Sequence, residues 1–141
     1  MISNIERLKA VSASQVRKDM PDFVVADTIK MRIKVKEAEK MRIHLFEGIV
    51  IKITGQGIAK SFTVRKISFG EGVERTFPIN SPVIEKIDIV AKGMVKRSKL
   101  YYLRNRLGKA TRVKVDQEKT LANTKAVAAA AVAHAAVASH V

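Results

Sequence analysis

Residues 28–36 read "TIKMRIKVK". Ile29, Met31, Ile33 and Val35 alternate with Lys30, Arg32, Lys34 and Lys36. Successive side chains of an extended chain point to opposite faces, so this period of two predicts a strand with one apolar and one basic face. The same period recurs downstream. In "MRIHLFEGIVIKIT" (Met41 to Thr54), Met41, Ile43, Leu45, Ile49, Ile51 and Ile53 share one parity. Glu47-Gly48 interrupts them, and a glycine inside a strand marks a bulge or sharp bend. After the turn Gly55-Gln56-Gly57, "SFTVRKISF" (Ser61 to Phe69) sets Phe62 and Val64 on one side and Ile67 and Phe69 on the other. Gly70-Glu71-Gly72 is the next tight turn. "VERTFPI" follows, with Val73 and Phe77 on one parity, and Pro78 demotes its end to an edge or a bend. "VIEKIDIVAKG" is a fifth strand of mixed parity, closed by Gly93. This spacing predicts Ile33, Ile43, Ile49, Ile51, Val64 and Ile67 in the core.

Upstream, Ser3-Asn4-Ile5-Glu6 has the form of a capping box. Ile2, Ile5, Leu8 and Val11 recur every three residues, which predicts a short helix from about Asn4 to Val16. Asp19-Met20-Pro21-Asp22 stops it, because the residue before a proline avoids the helical region. Five short strands, one preceding helix and no βαβ unit predict a mainly β fold, a small antiparallel β-barrel. An open sheet with one solvated face is the alternative. The chain divides into an N-terminal helical extension (1–20), the β-barrel (21–92), a basic extension (93–118) and a low-complexity Ala/Val-rich tail (119–141).

The 141 residues carry a net charge of +14. The stretch "KGMVKRSKLYYLRNRLGKATRVK" (Lys92 to Lys114) supplies nine Lys or Arg and no Asp or Glu. Like charges at this density repel one another, and a polyanion relieves the repulsion. Within it, "KLYYLRNR" is read as a helical turn or two ended by Gly108, and "KATRVKV" as a last short strand. Adjacent residues of a helix or strand do not share a face, so one of Tyr101 and Tyr102 is expected in the core and the other exposed.

Other chemistries find little to stand on. There is no cysteine, hence no disulfide and no thiolate metal site. The N-terminus "MISNIERLKA" has no long apolar run and is not a secretory signal. The Ala/Val-rich segment from Ala126 to Val141 spans ~24 Å as a helix against the ~30 Å of a bilayer core, and includes His134 and His140. It does not read as a membrane span. His44 reads as an exposed strand histidine, and Glu71 and Glu74 read as solvated turn charges. Gly55-x-Gly57 and Gly70-x-Gly72 are hairpin turns, too short for a phosphate fingerprint. No catalytic residue, metal or cofactor is expected.

Nucleic acid accounts for both basic runs. Lys and Arg neutralise phosphates and release counterions, and tyrosines stack on unpaired bases. The candidate RNA-binding residues are Lys30, Arg32, Lys34 and Lys36 of the first strand, and Arg65 and Lys66 of the third. The basic run adds Lys92, Lys96, Arg97, Lys99, Tyr101, Tyr102, Arg104, Arg106, Lys109, Arg112 and Lys114.

"PDF" (Pro21 to Phe23), "FEGIVI" (Phe46 to Ile51), "FTVRKISFGEGVERTFPINSP" (Phe62 to Pro82) and "KLYYLRNRLGKATRVK" (Lys99 to Lys114) together resemble the bacterial large-subunit ribosomal protein nineteen family. The resemblance runs from about Ile2 to Val115. It implies an SH3-like β-barrel with extensions, no catalysis, and binding to large-subunit ribosomal RNA at the face where the subunits meet. It also implies bridges to small-subunit ribosomal RNA, large-subunit proteins fourteen and three as neighbours, and a cytoplasmic, ribosomal location with no membrane contact. A free nucleic-acid-binding or RNA-chaperone module is the competing function. The family usually has glycine before the aspartate that opens the first barrel strand, where "VVAD" places Ala26. If that turn needs a positive φ, alanine is strained. The Ala/Val tail lies outside the family pattern.

Overall fold

A computed structural model describes residues 4–38, 40–106 and 108–125. An N-terminal helix α1 (Asn4–Ser14) precedes five strands, β1 (Thr28–Glu37), β2 (Lys40–Thr54), β3 (Ser61–Ser68), β4 (Glu71–Pro78) and β5 (Ile84–Ala91). All neighbours pair antiparallel in the order β4-β3-β2-β1-β5. Among the described residues, β4 and β5 are the two edges and do not pair with each other, so the sheet is open.

The inner face carries the main core. Ile29, Met31 and Ile33 of β1, Phe46 and Val50 of β2, Phe62 and Val64 of β3, and Ile84 and Ile87 of β5 are buried in one cluster with Phe23. Phe77 of edge strand β4 packs on the same cluster. Its ring lies 5.9 Å from those of both Phe46 and Phe62, while Phe23 meets Phe62 edge-on at 5.0 Å. Both edge strands thus feed one core, which requires the sheet to curl around it.

β2 does not keep a single parity. Val50 pairs with Val64 and Lys52 with Thr63, so Ile51 is an extra residue, a β-bulge. The bulge turns Ile51 outward beside Ile49, and Ile53, opposite Phe62, returns to the inner face. It sits three residues beyond Gly48, whose pairing with Ile29 is regular. The expected core is corrected accordingly. Ile33, Ile51 and Val64 are buried and Ile49 is half-buried, but Ile43 (58% exposed) and Ile67 (48%) face solvent, as do Met41 and Leu45. These four lie on the outer face beyond the reach of any covering element among the described residues. The mixed parity of β5 has the same cause, because register shifts at Thr28/Ile29 and Arg32/Ile33 leave Val90 and Glu85 as extra residues opposite β1.

Arg17 ties the N-terminal segment to the sheet, donating from Nη1 to the carbonyls of Ser81 (3.2 Å) and Ile84 (2.6 Å). After β5, Tyr101–Asn105 and Gly108–Thr111 are 3-10 turns. The first ends at Asn105, before Gly108. The expected last strand reduces to one bridge between Gly93 and Val115. Residues 117–125 are helical (α2), and Thr120 Oγ1 accepts a hydrogen bond from Lys92 N at 3.0 Å. The tail from 126, with His134 and His140, lies outside the described residues. Among those described, no helix is long and apolar enough to cross a membrane.

Candidate RNA-binding face

The basic extension is fastened to the outer face of the sheet by a second, smaller core. Leu100 and Leu103 bury themselves against Ile51 and Ala26, with Ile49, Val95, Tyr102 and Val113 packed around them. The bulge at Ile51 makes this possible, because it offers an apolar side chain outward where strict alternation would turn the next one in. Leu100 N donates to Ile51 O at 2.9 Å, and Met94 N to Lys114 O at 2.9 Å, which closes the extension into a loop.

A turn before β1 supplies the other half of the anchor. Ala26 has φ 83, the left-handed region that costs a Cβ-bearing residue energy. The strain suspected from "VVAD" is therefore real. It is held by Ala26 N donating to Val50 O (2.8 Å), by Val50 N donating to Asp27 O (2.9 Å), and by the Asp27 side chain. Asp27 is fully buried. Its Oδ2 accepts from Val24 N (3.0 Å) and lies 3.4 Å from Lys92 Nζ, and its Oδ1 accepts from Gly93 N (3.0 Å). A methyl group built at Gly93 would overlap the Ala26 carbonyl, so glycine is required for this close approach.

The candidates separate into neutralised and free cations. Arg65 Nη1 donates to Glu74 Oε1 at 2.9 Å, and Arg104 Nε and Nη2 grip the two oxygens of the same carboxylate at 2.9 and 2.8 Å. Glu74 is therefore the joint between β3, β4 and the extension, not a solvated turn charge. These bonds, Arg104's foremost, hold its carboxyl below the ordinary range against a partial burial that pulls the other way. The Arg65 guanidinium lies across Gly72, where any side chain would collide with it. Its Nε is buried without a hydrogen-bond partner. Lys66 Nζ lies 4.9 Å above the Phe46 ring, and Lys92 also donates to Asp22 O at 3.1 Å.

Lys96, Arg97, Arg106, Arg112 and Lys114 instead converge on an open pocket of about 500 Å³, lined also by Tyr102, with no carboxylate in its wall. None of the five has an ion-pair partner among the described residues. Tyr102 is half-buried, with Arg106 at 4.7 Å and Arg97 at 5.9 Å from its ring. Tyr101 is the outer tyrosine, 39% exposed, under Arg104 at 4.7 Å. Lys99 and Lys109 are exposed on the same extension.

The first-strand lysines belong to the same face. Thr28 borders pockets shared with Arg112, and from Thr28 the alternation of β1 carries Lys30, Arg32, Lys34 and Lys36 away along the outer side. Arg32, Lys34 and Lys36 are exposed and stand opposite Leu45, Ile43 and Met41. Two basic runs some sixty residues apart in the chain thus form one surface. Asp27 and Glu74 escaped the reading of the sequence. Glu74 had a usable signal, since a two-residue turn at 69–70 places it opposite Arg65. Asp27 had none without the tertiary contact.

Residues 6–116 match the family described as Ribosomal protein L19. The chain is 51% identical over 109 residues to "Large ribosomal subunit protein bL19" of Clostridium beijerinckii, covering 77% of this chain and 94% of that relative. It is 52% identical over 110 residues to the protein of the same name in Clostridium novyi, covering 78% and 95%. A match of this extent, carried by the buried core and the anchored basic extension alike, leaves one conclusion: the chain belongs to the Ribosomal protein L19 family, structural and non-enzymatic constituents of the large ribosomal subunit.

Proposed function

We propose that the chain binds large-subunit ribosomal RNA with the outer face of its sheet, gripping phosphates through the unneutralised cations of the extension and of β1. The observation that carries this reading is the carboxylate-free pocket of Lys96, Arg97, Arg106, Arg112 and Lys114. Unpaired cations held apart by a folded loop repel one another until an anion joins them. Arg65, Arg104 and Lys92, although candidates for RNA binding by sequence, serve chiefly to hold the extension on the sheet, because their charges are already met by Glu74 and Asp27. Family membership supports the wider setting. It comprises a place at the subunit interface of the cytoplasmic ribosome, bridges to small-subunit ribosomal RNA, and large-subunit proteins fourteen and three as neighbours. The curled sheet is read as an SH3-like barrel left open between β4 and β5, a reading supported by the single core that both edges share.

The test is a titration of the full chain against large-subunit ribosomal RNA at several salt concentrations. Replacing Arg97 and Arg106 by Gln should lower the log–log salt slope by roughly 0.7–0.9 for each phosphate no longer neutralised. Replacing Arg104 alone should change the slope little and the melting temperature more. A slope indifferent to Arg97 and Arg106 would refute the assignment.

A further inference from the structure

The turn between β3 and β4 consists of Phe69 and Gly70, both left-handed, with φ 52 and 84. Such two-residue turns favour asparagine, aspartate or glycine at the first position. A bulky aromatic residue there is a strained choice. Nothing inside the molecule compensates it. Phe69 is 105% exposed, fully in solvent, and none of the ring contacts among the described residues includes it. The turn alone would be better served by another residue, and the ring gains no burial. Its benefit therefore lies outside the chain.

The surroundings indicate the class of partner. Phe69 continues the outer parity of β3 from Ile67, which is itself exposed. Ile67 borders a groove whose far wall is the 3-10 turn bearing Gly108, Thr111 and Arg112, with Lys109 exposed beside them. A polyanion lying on the cations of this extension passes within about one nucleotide's reach of the hairpin tip. We propose that Phe69 is a stacking finger that takes the face of one unpaired base of the bound RNA. This rests on the RNA-binding reading above and adds a base contact that charge alone does not provide.

Phe69→Asn removes the ring and supplies a residue at ease in the left-handed region. The full chain carrying it should melt at the same or a higher temperature, bind large-subunit ribosomal RNA about tenfold more weakly, as expected for the removal of one stack, and keep an unchanged salt slope. The chain has no tryptophan, so Phe69→Trp introduces a single indole, which should retain affinity and lose emission when the RNA is added. Wild-type affinity in the Asn variant overturns the proposal, as does a fall in its melting temperature, which would reveal an internal packing role. Indole emission that ignores the RNA but rises and shifts to the blue in whole large subunits also overturns it, in favour of a protein pocket. A wild-type chain that fails to bind the RNA overturns the RNA reading itself and the finger with it.

Discussion

At Ala26 three effects of similar size meet. Relief of the left-handed strain by Ala26→Gly is worth about 1–2 kcal/mol. Loss of a buried methyl costs about 0.8 kcal/mol, and the added freedom of the unfolded chain costs about 0.4–1 kcal/mol. They nearly cancel, so Ala26→Gly should change stability by less than about 1 kcal/mol in denaturant unfolding. A loss above ~2 kcal/mol would mean that the methyl packing against Leu100 and Leu103 outweighs the strain. Glu74 gives a prediction in pH. Its folded pKa lies below the ordinary 4.5, so its stabilising effect is fully present above that value and is lost as pH falls through the depressed one. Acid unfolding of the wild type should therefore steepen below about pH 4.5, and Glu74→Gln should flatten that limb. An identical acid limb in the variant would show the Arg104 pair to be screened. Asp19 and Asp116 are lowered as well, by hydrogen bonds from Arg17 and Lys119, but both are surface carboxylates whose pairs contribute little.

β2 shows how far periodicity reaches. Its alternation is plain from Met41 to Thr54, and its existence as a strand follows directly. Which of its isoleucines matter does not, because the bulge at Ile51 and the cover supplied by residues 95–113 intervene. The contrast is measurable. Ile51→Ala should cost ~2–5 kcal/mol, as for a buried isoleucine, whereas the chemically identical Ile43→Ala should stay within about 0.5 kcal/mol. Equal losses at both sites would refute the inside–outside assignment. α2 presents the same lesson in a low-complexity region. The alanine-rich composition suggests nothing held, yet Thr120 is hydrogen-bonded to Lys92 N. A chain ended after Lys125 should melt as the full chain does, while one ended after Lys119 should lose about 0.5–1.5 kcal/mol, the net worth of that bond.

Over the whole molecule, the outer face has two halves. The extension covers one half through Leu100 and Leu103. The other leaves Met41, Ile43, Leu45 and Ile67 open beside Arg32, Lys34 and Lys36. Sequence alone determined that strands dominate, that one side of β1 is basic, that the chain carries an excess of positive charge concentrated in residues 92–114, and which family its motifs resemble. Those properties are local: they depend on side-chain chemistry and on the two-residue repeat of an extended backbone, and both can be read along the chain. The tertiary structure decided which apolar residues of β2 are covered, which arginines are neutralised, and that the two basic runs share a face. Each of those outcomes depends on a partner far away in sequence. Glu74 meets Arg104 across thirty residues, and Asp27 meets Gly93 across sixty-six. No periodicity encodes such a meeting, because it is fixed only when the sheet has curled and the extension has closed over it.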